Sequence, residues 1–338
     1  MNQAVEPPGL SGFVSIDEGG WTIVAPSENL DTARWCLRLR LVGELIETRR
    51  IPARRATEPK RKEAPHGRDG SAEFVIPGAW TGREYGRGMT LRVRGVGGPN
   101  VIIKALRRGG IVGKIRGGYY GHDRLLSEMR KLEDAVRRGV PIPTVVFGAS
   151  TRLRRGGTAS LLATREFEGA VSLVDLLRAP ATGRMPSRAR STSLARAGRA
   201  VRRAHDLGLD HVDLNIGNVL IAPLGRRFGI RGIRVPSEGD TAESIGACVI
   251  DLGMSRLGDP LTPGRRASNL IRLLRSAEKH LGRDHHRMRD AAAFMHGYLA
   301  GSPAPDRAFR RSLMRGIRLR FPIIAFHRIG WALRDWGT

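Results

Sequence analysis

Apolar residues repeat along the chain with two different periods. Two short apolar runs, Val101-Ile-Ile-Lys-Ala105 and Gly246-Ala-Cys-Val-Ile250, are typical of buried strands. Between them, apolar residues recur at spacings of three and four, at Leu125, Met129, Leu132 and Val136. That spacing predicts one amphipathic helix. The pattern as a whole predicts an α+β protein.

The chain has 338 residues, a length that suits two lobes with appendages. Short strands and a helical stretch predict an N-terminal extension over 1–47, and the charged, proline-rich stretch over 48–71 predicts a mobile linker. We predict an N-lobe of antiparallel strands with one helix over 72–165, a mainly helical C-lobe over 166–302 and a basic amphipathic tail over 303–338.

Two segments of the second half have helical patterns. Over 188–207, Leu194, Val201 and Leu207 are expected to face the core, while the arginines of this helix point outward. The tail after Arg307 mixes arginines with Phe, Ile and Trp, as helices in a membrane interface do. Packing of the tail against the helical lobe explains the same pattern equally well, and the sequence leaves both interpretations open.

The candidate chemistry lies in His211-Val-Asp213-Leu-Asn-Ile-Gly-Asn218. This is the spacing of a protein-kinase catalytic loop, in which the Asp takes the proton of the attacking hydroxyl and the Asn holds a magnesium ion of ATP. Asp251 ends the apolar run that begins at Gly246 and would supply a second metal ligand. Each piece alone is compatible with an ordinary turn, but their order along the chain favours the kinase-type site.

Such a site needs an upstream Lys on a strand and a Glu on a helix to hold the phosphates of ATP. Lys104 is the one Lys within the first apolar run, so its amino group either reaches solvent or meets an anion. Glu128 adjoins the apolar stripe of the predicted helix and is the candidate partner. Glu133 of the same helix is the rival candidate.

A glycine pair ahead of Lys104 is a further candidate for contact with the nucleotide. Gly86 and Gly88 are separated by one residue and could form a hairpin whose backbone amides approach the phosphates. The third glycine of the usual G-x-G-x-x-G pattern is absent, and a simple hairpin turn explains the sequence about as well.

Several segments together resemble the bacterial lipopolysaccharide kinase family, and in particular its 3-deoxy-D-manno-octulosonic acid (Kdo) kinases. The likeness spans roughly residues 80–300. It is carried by Lys104-Ala-Leu-Arg-Arg-Gly-Gly-Ile-Val112, Arg137-Arg-Gly-Val-Pro-Ile-Pro143, Thr164-Arg-Glu-Phe-Glu-Gly-Ala170, His211–Leu220 and Asn269–Ser276.

The resemblance implies a two-lobed protein-kinase-like fold and an ATP-dependent kinase that phosphorylates a hydroxyl of Kdo on a lipid A precursor. It implies that Asp213 is the base, that Asn218 and Asp251 hold Mg²⁺, and that Lys104 and Glu128 hold the phosphates of ATP. Two other hypotheses stay open: a kinase-fold phosphotransferase with a protein or small-molecule acceptor, and an inactive kinase-like scaffold that binds anionic surfaces.

The chain departs from protein kinases at three places. Asp251-Leu-Gly stands where protein kinases have Asp-Phe-Gly, and an Ala-Pro-Glu segment is missing, which argues against a protein substrate. His211-Val-Asp lacks the Arg that would bind a phosphorylated activation loop. The stretch over 226–243 is longer than the family pattern implies.

The net charge of +26 predicts attraction to phosphate-bearing partners. Aromatic residues make up only 5% of the chain and no nucleic-acid-binding motif is present, which argues against nucleic acid as the partner.

Cys36 and Cys248 lack metal-ligand spacing and are expected to be buried reduced thiols, which favours the cytoplasm. The sequence has no apolar run long enough to span a bilayer and no signal peptide. We therefore expect a cytoplasmic protein that contacts the anionic inner membrane peripherally.

Overall fold

The structure is a computed structural model that describes residues 5–39, 42, 90–93, 100–106, 121–153, 156–178, 187–222, 246–281, 287–300 and 306–335. The predicted linker over 48–71, the glycines Gly86 and Gly88 and the long stretch over 226–243 lie outside the described residues. The chain divides into two compact units, Met1–Asp134 with Pro143–Glu166 and Ala135–Ile142 with Phe167–Thr338.

The first unit is built on a six-stranded antiparallel sheet with the strand order β1-β2-β5-β6-β4-β3. The strands are β1 (Phe13–Glu18), β2 (Trp21–Pro26), β3 (Thr90–Val93), β4 (Val101–Ala105), β5 (Val145–Arg152) and β6 (Thr158–Arg165). The segment that we predicted as an N-terminal extension thus supplies β1 and β2 to this sheet. The sheet confirms the antiparallel N-terminal part of the predicted α+β fold.

Two helices lie on opposite faces of this sheet. The helix α1 (Leu30–Leu37) packs its buried Ala33 and Cys36 against one face, where Ile103 of β4 belongs to the same core. The helix α2 (His122–Arg137) approaches the other face at Gly148, where a Cβ atom would lie 2.4 Å from the sulfur of Met129. Only glycine permits so close an approach of helix to strand.

The amphipathic helix predicted from its apolar spacing is therefore present as α2. Its four predicted apolar positions, Leu125, Met129, Leu132 and Val136, are all buried.

Cys36 and Cys248 are buried free thiols, as expected. Burial raises the pKa of the Cys36 thiol to about 12, so the thiol stays protonated and unreactive at neutral pH.

The second unit is mainly helical. Its helices are α3 (Leu173–Arg178), α4 (Ser187–Asp206), α5 (Pro263–Leu281), α6 (Arg287–Leu299) and α7 (Arg307–Asp335). The helices α4 and α6 cross at Gly198 and Gly297, where an added Cβ atom would lie 2.1 Å from the carbonyl oxygen of Phe294 and 1.9 Å from that of Ala195. The two backbones can approach this closely only because neither residue has a side chain.

Short strands complete this unit. A three-stranded antiparallel sheet in the order β10-β9-β7 is formed by β7 (Val171–Ser172), β9 (Val219–Ile221) and β10 (Ala247–Val249). A second pair joins β8 (Leu209–Asp210) to β11 (Arg256–Leu257). These strands carry the loops in which the predicted catalytic residues lie.

The prediction that the arginines of α4 point outward is wrong for Arg202, which is only 5% exposed. Its Nε donates to both carboxylate oxygens of Asp206 at 2.7 Å. Arg266 of α5 donates from Nη1 to the same carboxylate at 2.5 Å. A charged group can be buried when a partner of opposite charge lies beside it, and Asp206 is that partner for two guanidinium groups.

The tail predicted from its mixture of arginines and apolar residues forms α7. Its first turns pack against α5: Leu313 is fully buried and Gly316 faces Ala267, whose Cβ would lie 3.0 Å from an added Cβ. The ring of Phe309 lies 5.1 Å from the guanidinium carbons of both Arg202 and Arg266, which is a cation–π distance. The first part of the tail therefore packs on the helical unit.

Candidate active site

A buried histidine holds the loop that carries Asp213. His211 is 2% exposed, and its Nε2 lies 2.9 Å from the carbonyl oxygen of Ile250. Because a carbonyl oxygen only accepts hydrogen bonds, Nε2 must carry the proton and donate it. Burial lowers the pKa of His211, which favours the neutral ring. This histidine joins the Asp213 loop to the segment that leads into Asp251.

The backbone of Asp213 is held by two side-chain amides. Asn215 and Asn218 each donate from Nδ2 to the carbonyl oxygen of Asp213 at 3.1 Å. Asn215 also caps the short 3₁₀ helix Ile216–Asn218, because its Oδ1 accepts a hydrogen bond from the backbone N–H of Gly217 at 2.8 Å. The loop is thus rigid while the residue Asp213 itself is exposed, so its carboxylate is available to a reactant.

Asn218 and Asp251 come together through the β9–β10 hairpin. Val219 pairs with Val249 in the register, and the backbone N–H of Ile250 donates to the carbonyl oxygen of Asn218 at 2.9 Å. Asp251 follows directly and is exposed. The hairpin therefore places a buried amide residue and an exposed carboxylate residue at the same end of two paired strands.

Asp251 has an unusual backbone conformation. Its φ is +63°, and among the described residues it is the one non-glycine residue with a positive φ. This left-handed conformation costs an L-residue roughly 1–2 kcal/mol, although Asp and Asn tolerate it better than most. Backbone strain of this kind concentrates at functional sites, and here it presents the Asp251 residue to solvent at the end of a buried strand.

Lys104 and Glu128 belong to the first unit, and the sheet register shows which face they share. Lys104 pairs with Leu162, and Leu162 pairs with Gly148, so all three residues point to the same face of the sheet. This is the face on which α2 lies, since Gly148 contacts Met129 of that helix. Glu128, the neighbour of Met129, is buried and accepts a hydrogen bond from Nε of Arg124 at 3.1 Å.

The two candidate partners of Lys104 differ in burial. Glu128 is 9% exposed, whereas Glu133 is half-buried. A buried carboxylate on the helix that covers the face of Lys104 fits the role of a phosphate-clamp partner better than a half-buried one. Gly86 and Gly88, the remaining candidates for contact with the nucleotide, lie outside the described residues.

Sequence reasoning did not identify an ion pair at the end of the first unit. Arg92 of β3 binds Glu166 through two contacts, Nε to Oε2 at 2.8 Å and Nη2 to Oε1 at 2.6 Å. The N–H of Glu166 also donates to the carbonyl oxygen of Asn100. Two-point Arg–carboxylate pairs fix geometry well. The pair anchors the start of the segment that links the units, and its 74-residue separation left no local signal in the sequence.

An apolar patch in the second unit lies next to the metal-ligand candidates. Phe167, Ala222 and Cys248 form its buried centre, and Ala170, Leu220 and Ile250 pack against it while remaining partly exposed. Leu220 and Ile250 are close neighbours of Asn218 and Asp251 along the chain. Apolar side chains beside a few polar residues are typical of small-molecule sites.

Comparison with known proteins identifies the family. A family model described as "Lipopolysaccharide kinase (Kdo/WaaP) family" matches residues 77–298, which include Lys104, Glu128, Asp213, Asn218 and Asp251. The chain belongs to the Kdo/WaaP lipopolysaccharide kinase family. The resemblance stated from the sequence is thereby confirmed, and the chain is a kinase, an enzyme that uses ATP as phosphate donor.

Curated relatives of this Kdo/WaaP kinase carry the name 3-deoxy-D-manno-octulosonic acid kinase. The protein of Xylella fastidiosa (strain M12) is 30% identical over 216 residues, which cover 61% of this chain and 74% of the relative. That of Actinobacillus succinogenes is 29% identical over 167 residues, which cover 46% of this chain and 67% of the relative. A solved structure, WaaP in complex with acyl carrier protein, matches with a TM-score of 0.41 and 21% identity, over 71% of this chain and 82% of that chain.

Proposed function

We propose that this kinase transfers the γ-phosphate of ATP to a hydroxyl of Kdo on a lipid A precursor. The observation that carries the proposal is the joint arrangement of the Asp213 loop and the β9–β10 hairpin within a chain of this family. Relatives about 30% identical are named Kdo kinases, which supports the sugar as acceptor.

Asp213 is the proposed general base. Asn215 and Asn218 hold its backbone in a defined position, and its exposure lets an acceptor hydroxyl reach it. A base placed in this way accepts the proton of the hydroxyl as the oxygen attacks phosphorus. The Kdo hydroxyl would gain the phosphoryl group, and ADP would leave.

Asn218 and Asp251 are the proposed ligands of Mg²⁺. Both supply oxygen donors, which this hard cation prefers, and the hairpin brings the two residues together. In the part of the chain that the structure describes, no group of three or more His, Cys, Asp or Glu could hold a metal, so the set would be completed by phosphate oxygens and water. When bound, the ion neutralises charge on the phosphates.

Lys104 is the proposed phosphate clamp, with Glu128 as the residue that orients it. The support is that Lys104 and α2 share one face of the sheet and that Glu128 is buried on that helix. The assignment of Gly86 and Gly88 to nucleotide contact remains a proposal from the sequence alone.

Replacement of Asp251 by Asn is expected to weaken Mg²⁺-ATP binding and turnover together, each by at least roughly tenfold, because the ion's ligand set loses a charge. Asn tolerates the left-handed backbone that Asp251 adopts, so the fold should be kept. Calorimetric titration of Mg²⁺-ATP into both proteins measures the affinity, and thermal unfolding checks the fold. Equal affinities in the two proteins would remove Asp251 from the metal site.

The enzyme is proposed to act at the cytoplasmic face of the inner membrane, where a lipid-linked acceptor is reached. Among the described residues, no helix is sufficiently long and apolar to cross a bilayer. The face of α7 that points away from α5 instead combines two exposed stripes, one of Met314, Arg318 and Phe321 and one of Arg311, Arg315 and Leu319. Arginines beside apolar side chains are typical of helices that lie in an anionic interface.

Substitution of Met314 and Phe321 by Ser is expected to weaken binding to anionic phospholipid vesicles by roughly tenfold, since two apolar side chains of one stripe can no longer insert. Both residues are exposed, at 40% and 48%, so the fold should be unaffected. Cosedimentation measures the binding. The control is Met288→Ser, which changes another apolar residue, 82% exposed, on α6. Equal loss in both proteins, or no loss in either, would contradict the assignment of this helix to the membrane.

The acceptor is tested by the formation of ADP. We expect ADP release from Mg²⁺-ATP to rise strongly when a Kdo-bearing lipid A precursor is added, and to stay at the background level when the same lipid lacks Kdo. A rate that is the same with and without Kdo would contradict the proposed acceptor.

A further inference from the structure

A row of three arginines lies along one face of α4. Arg196, Arg199 and Arg203 are spaced by three and four residues, so their side chains leave the helix on the same side. The buried residues Leu194 and Val201 lie on the opposite side of the helix. None of the three arginines takes part in the hydrogen bonds or ion pairs formed among the described residues.

These arginines are not ordinary solvated surface residues. All three are half-buried, and the Nε atoms of Arg199 and Arg203 are buried without a hydrogen-bond partner. Burial, together with the charge of Arg199, lowers the pKa of Arg196. A buried N–H group without an acceptor is destabilising, and like charges three or four residues apart on a helix add to this.

Arg190 of the same helix shows what this row lacks. Its Nε and Nη2 donate to the two carboxylate oxygens of Asp290 at 2.9 and 2.7 Å, and its Nη1 donates to the carbonyl oxygen of Leu176 at 2.9 Å. A buried group without a partner in a native fold requires an explanation, and a bound ion is one.

The position of Arg196 separates this end of the row from Asp251. Arg196 contacts the start of the hairpin strand β10, where an added Cβ on Gly246 would lie 3.2 Å from its Nη1. Asp251 lies beyond the other end of that strand, five residues later, or roughly 16 Å along an extended chain. An anion bound beside Arg196 would therefore not be one of the phosphates that Asn218 and Asp251 are proposed to hold, and Mg²⁺-ATP affinity tests the same for Arg199 and Arg203.

We propose that Arg196, Arg199 and Arg203 form a second anion site that binds a phosphate group. Guanidinium groups bind phosphate oxygens through pairs of parallel N–H donors, and residues at positions i and i+4 on one helix can grip the same group. The phosphate group comes either from a free phosphate or from a phospholipid headgroup, since the two present the same oxygens. This site is independent of the proposed acceptor chemistry.

The test uses the full chain with Arg199 and Arg203 both changed to Gln. Its control is the double variant Arg188→Gln with Arg256→Gln, which removes the same charge from two exposed positions of the same unit. Thermal unfolding is measured in inorganic phosphate and in chloride of equal ionic strength. A second arm measures cosedimentation with vesicles that contain phosphatidic acid, and a third measures Mg²⁺-ATP affinity.

Wild type and control are expected to be more stable in phosphate than in chloride, or to bind the vesicles. The Arg199/Arg203 variant should need at least roughly tenfold more phosphate or lipid for the same response. In chloride alone the variant should unfold at the same temperature as wild type or higher. The reason is that the substitutions remove repulsion between the arginines and remove the buried N–H groups that lack acceptors. A response only to phosphate identifies a soluble ligand, and a response only to vesicles identifies a lipid headgroup.

Two results would overturn the proposal. The first is a wild type that responds to neither phosphate nor vesicles, or that responds no more than the Arg199/Arg203 variant. The second is a variant that is less stable than wild type in chloride, which would show that the arginines serve the fold. Mg²⁺-ATP affinity is expected to be unchanged in the variant, so a failure here is distinguishable from a failure of the proposed kinase site.

Discussion

Replacement of Asp213 by Ala is expected to lower turnover by roughly 10²- to 10⁴-fold, or about 3–5 kcal/mol of barrier, and to leave nucleotide binding nearly intact. The reason is that Asp213 acts on the acceptor hydroxyl, whereas Lys104, Asn218 and Asp251 are proposed to hold the nucleotide and its metal. The residue is exposed, so its truncation leaves no cavity and no buried group unpaired.

The measurement is a pair of titrations on each protein: initial rate against acceptor concentration, and Mg²⁺-ATP affinity by calorimetry. Asn215→Ala is an informative companion, because it removes one of the two amides that hold the carbonyl of Asp213 and keeps the carboxylate. We expect it to lower the rate by less than Asp213→Ala does. A variant Asp213→Ala that keeps more than about half of the wild-type rate would remove this residue from the mechanism.

Replacement of Asp206 by Ala is expected to destabilise the fold by roughly 3–5 kcal/mol, because it leaves the guanidinium groups of Arg202 and Arg266 in the interior without their shared carboxylate. These two side chains are 6% and 5% exposed and contact the carboxylate at 2.7 and 2.5 Å. Phe309 stacks over both, so α7 should loosen as well.

Urea unfolding followed by circular dichroism gives the free energy of unfolding. The matched control is Asp259→Ala, which removes a carboxylate from an exposed position and should produce no measurable change. If Asp206→Ala proves as stable as Asp259→Ala, the buried cluster does not hold the helices together. A truncation before Arg307 removes Phe309 and Leu313, so it is also expected to lower the free energy of unfolding.

The elements near the site could be predicted because their signals are local. The strand around Lys104 and the helix around Glu128 follow from apolar spacing within a few residues, and both are present as β4 and α2. The Asp213-to-Asn218 spacing likewise lies within one loop. The family then followed from several such local segments in one order, and the family model confirms it.

The features that escaped prediction depend on pairing between distant residues. The sheet pairs β2 with β5, more than a hundred positions apart, and the sequence of neither strand indicates its pairing partner. The same holds for Arg202, which the helical pattern placed outside but which is buried against the ring of Phe309, more than a hundred positions later in the chain. The positive φ of Asp251 also has no signature in sequence, because Asp is common in ordinary turns.

For the tail, the sequence left packing and membrane contact as alternatives. The structure assigns the two interpretations to different faces of the helix, because α7 buries Leu313 on one side and exposes Met314 and Phe321 on the other. Packing is thus shown for the inner face, while membrane contact by the outer face is a proposal. The two faces can be tested separately by the exposed substitutions described above.

The most direct test of the central claim is transfer of label from γ-³²P-ATP to three acceptors offered side by side: a Kdo-bearing lipid A precursor, a generic protein substrate and an aminoglycoside. Wild type is expected to label the Kdo-bearing lipid, and Asp213→Ala is expected to leave it unlabelled over the same time. Label on the protein or the aminoglycoside but not on the lipid, or equal labelling of the lipid by both proteins, would contradict the account.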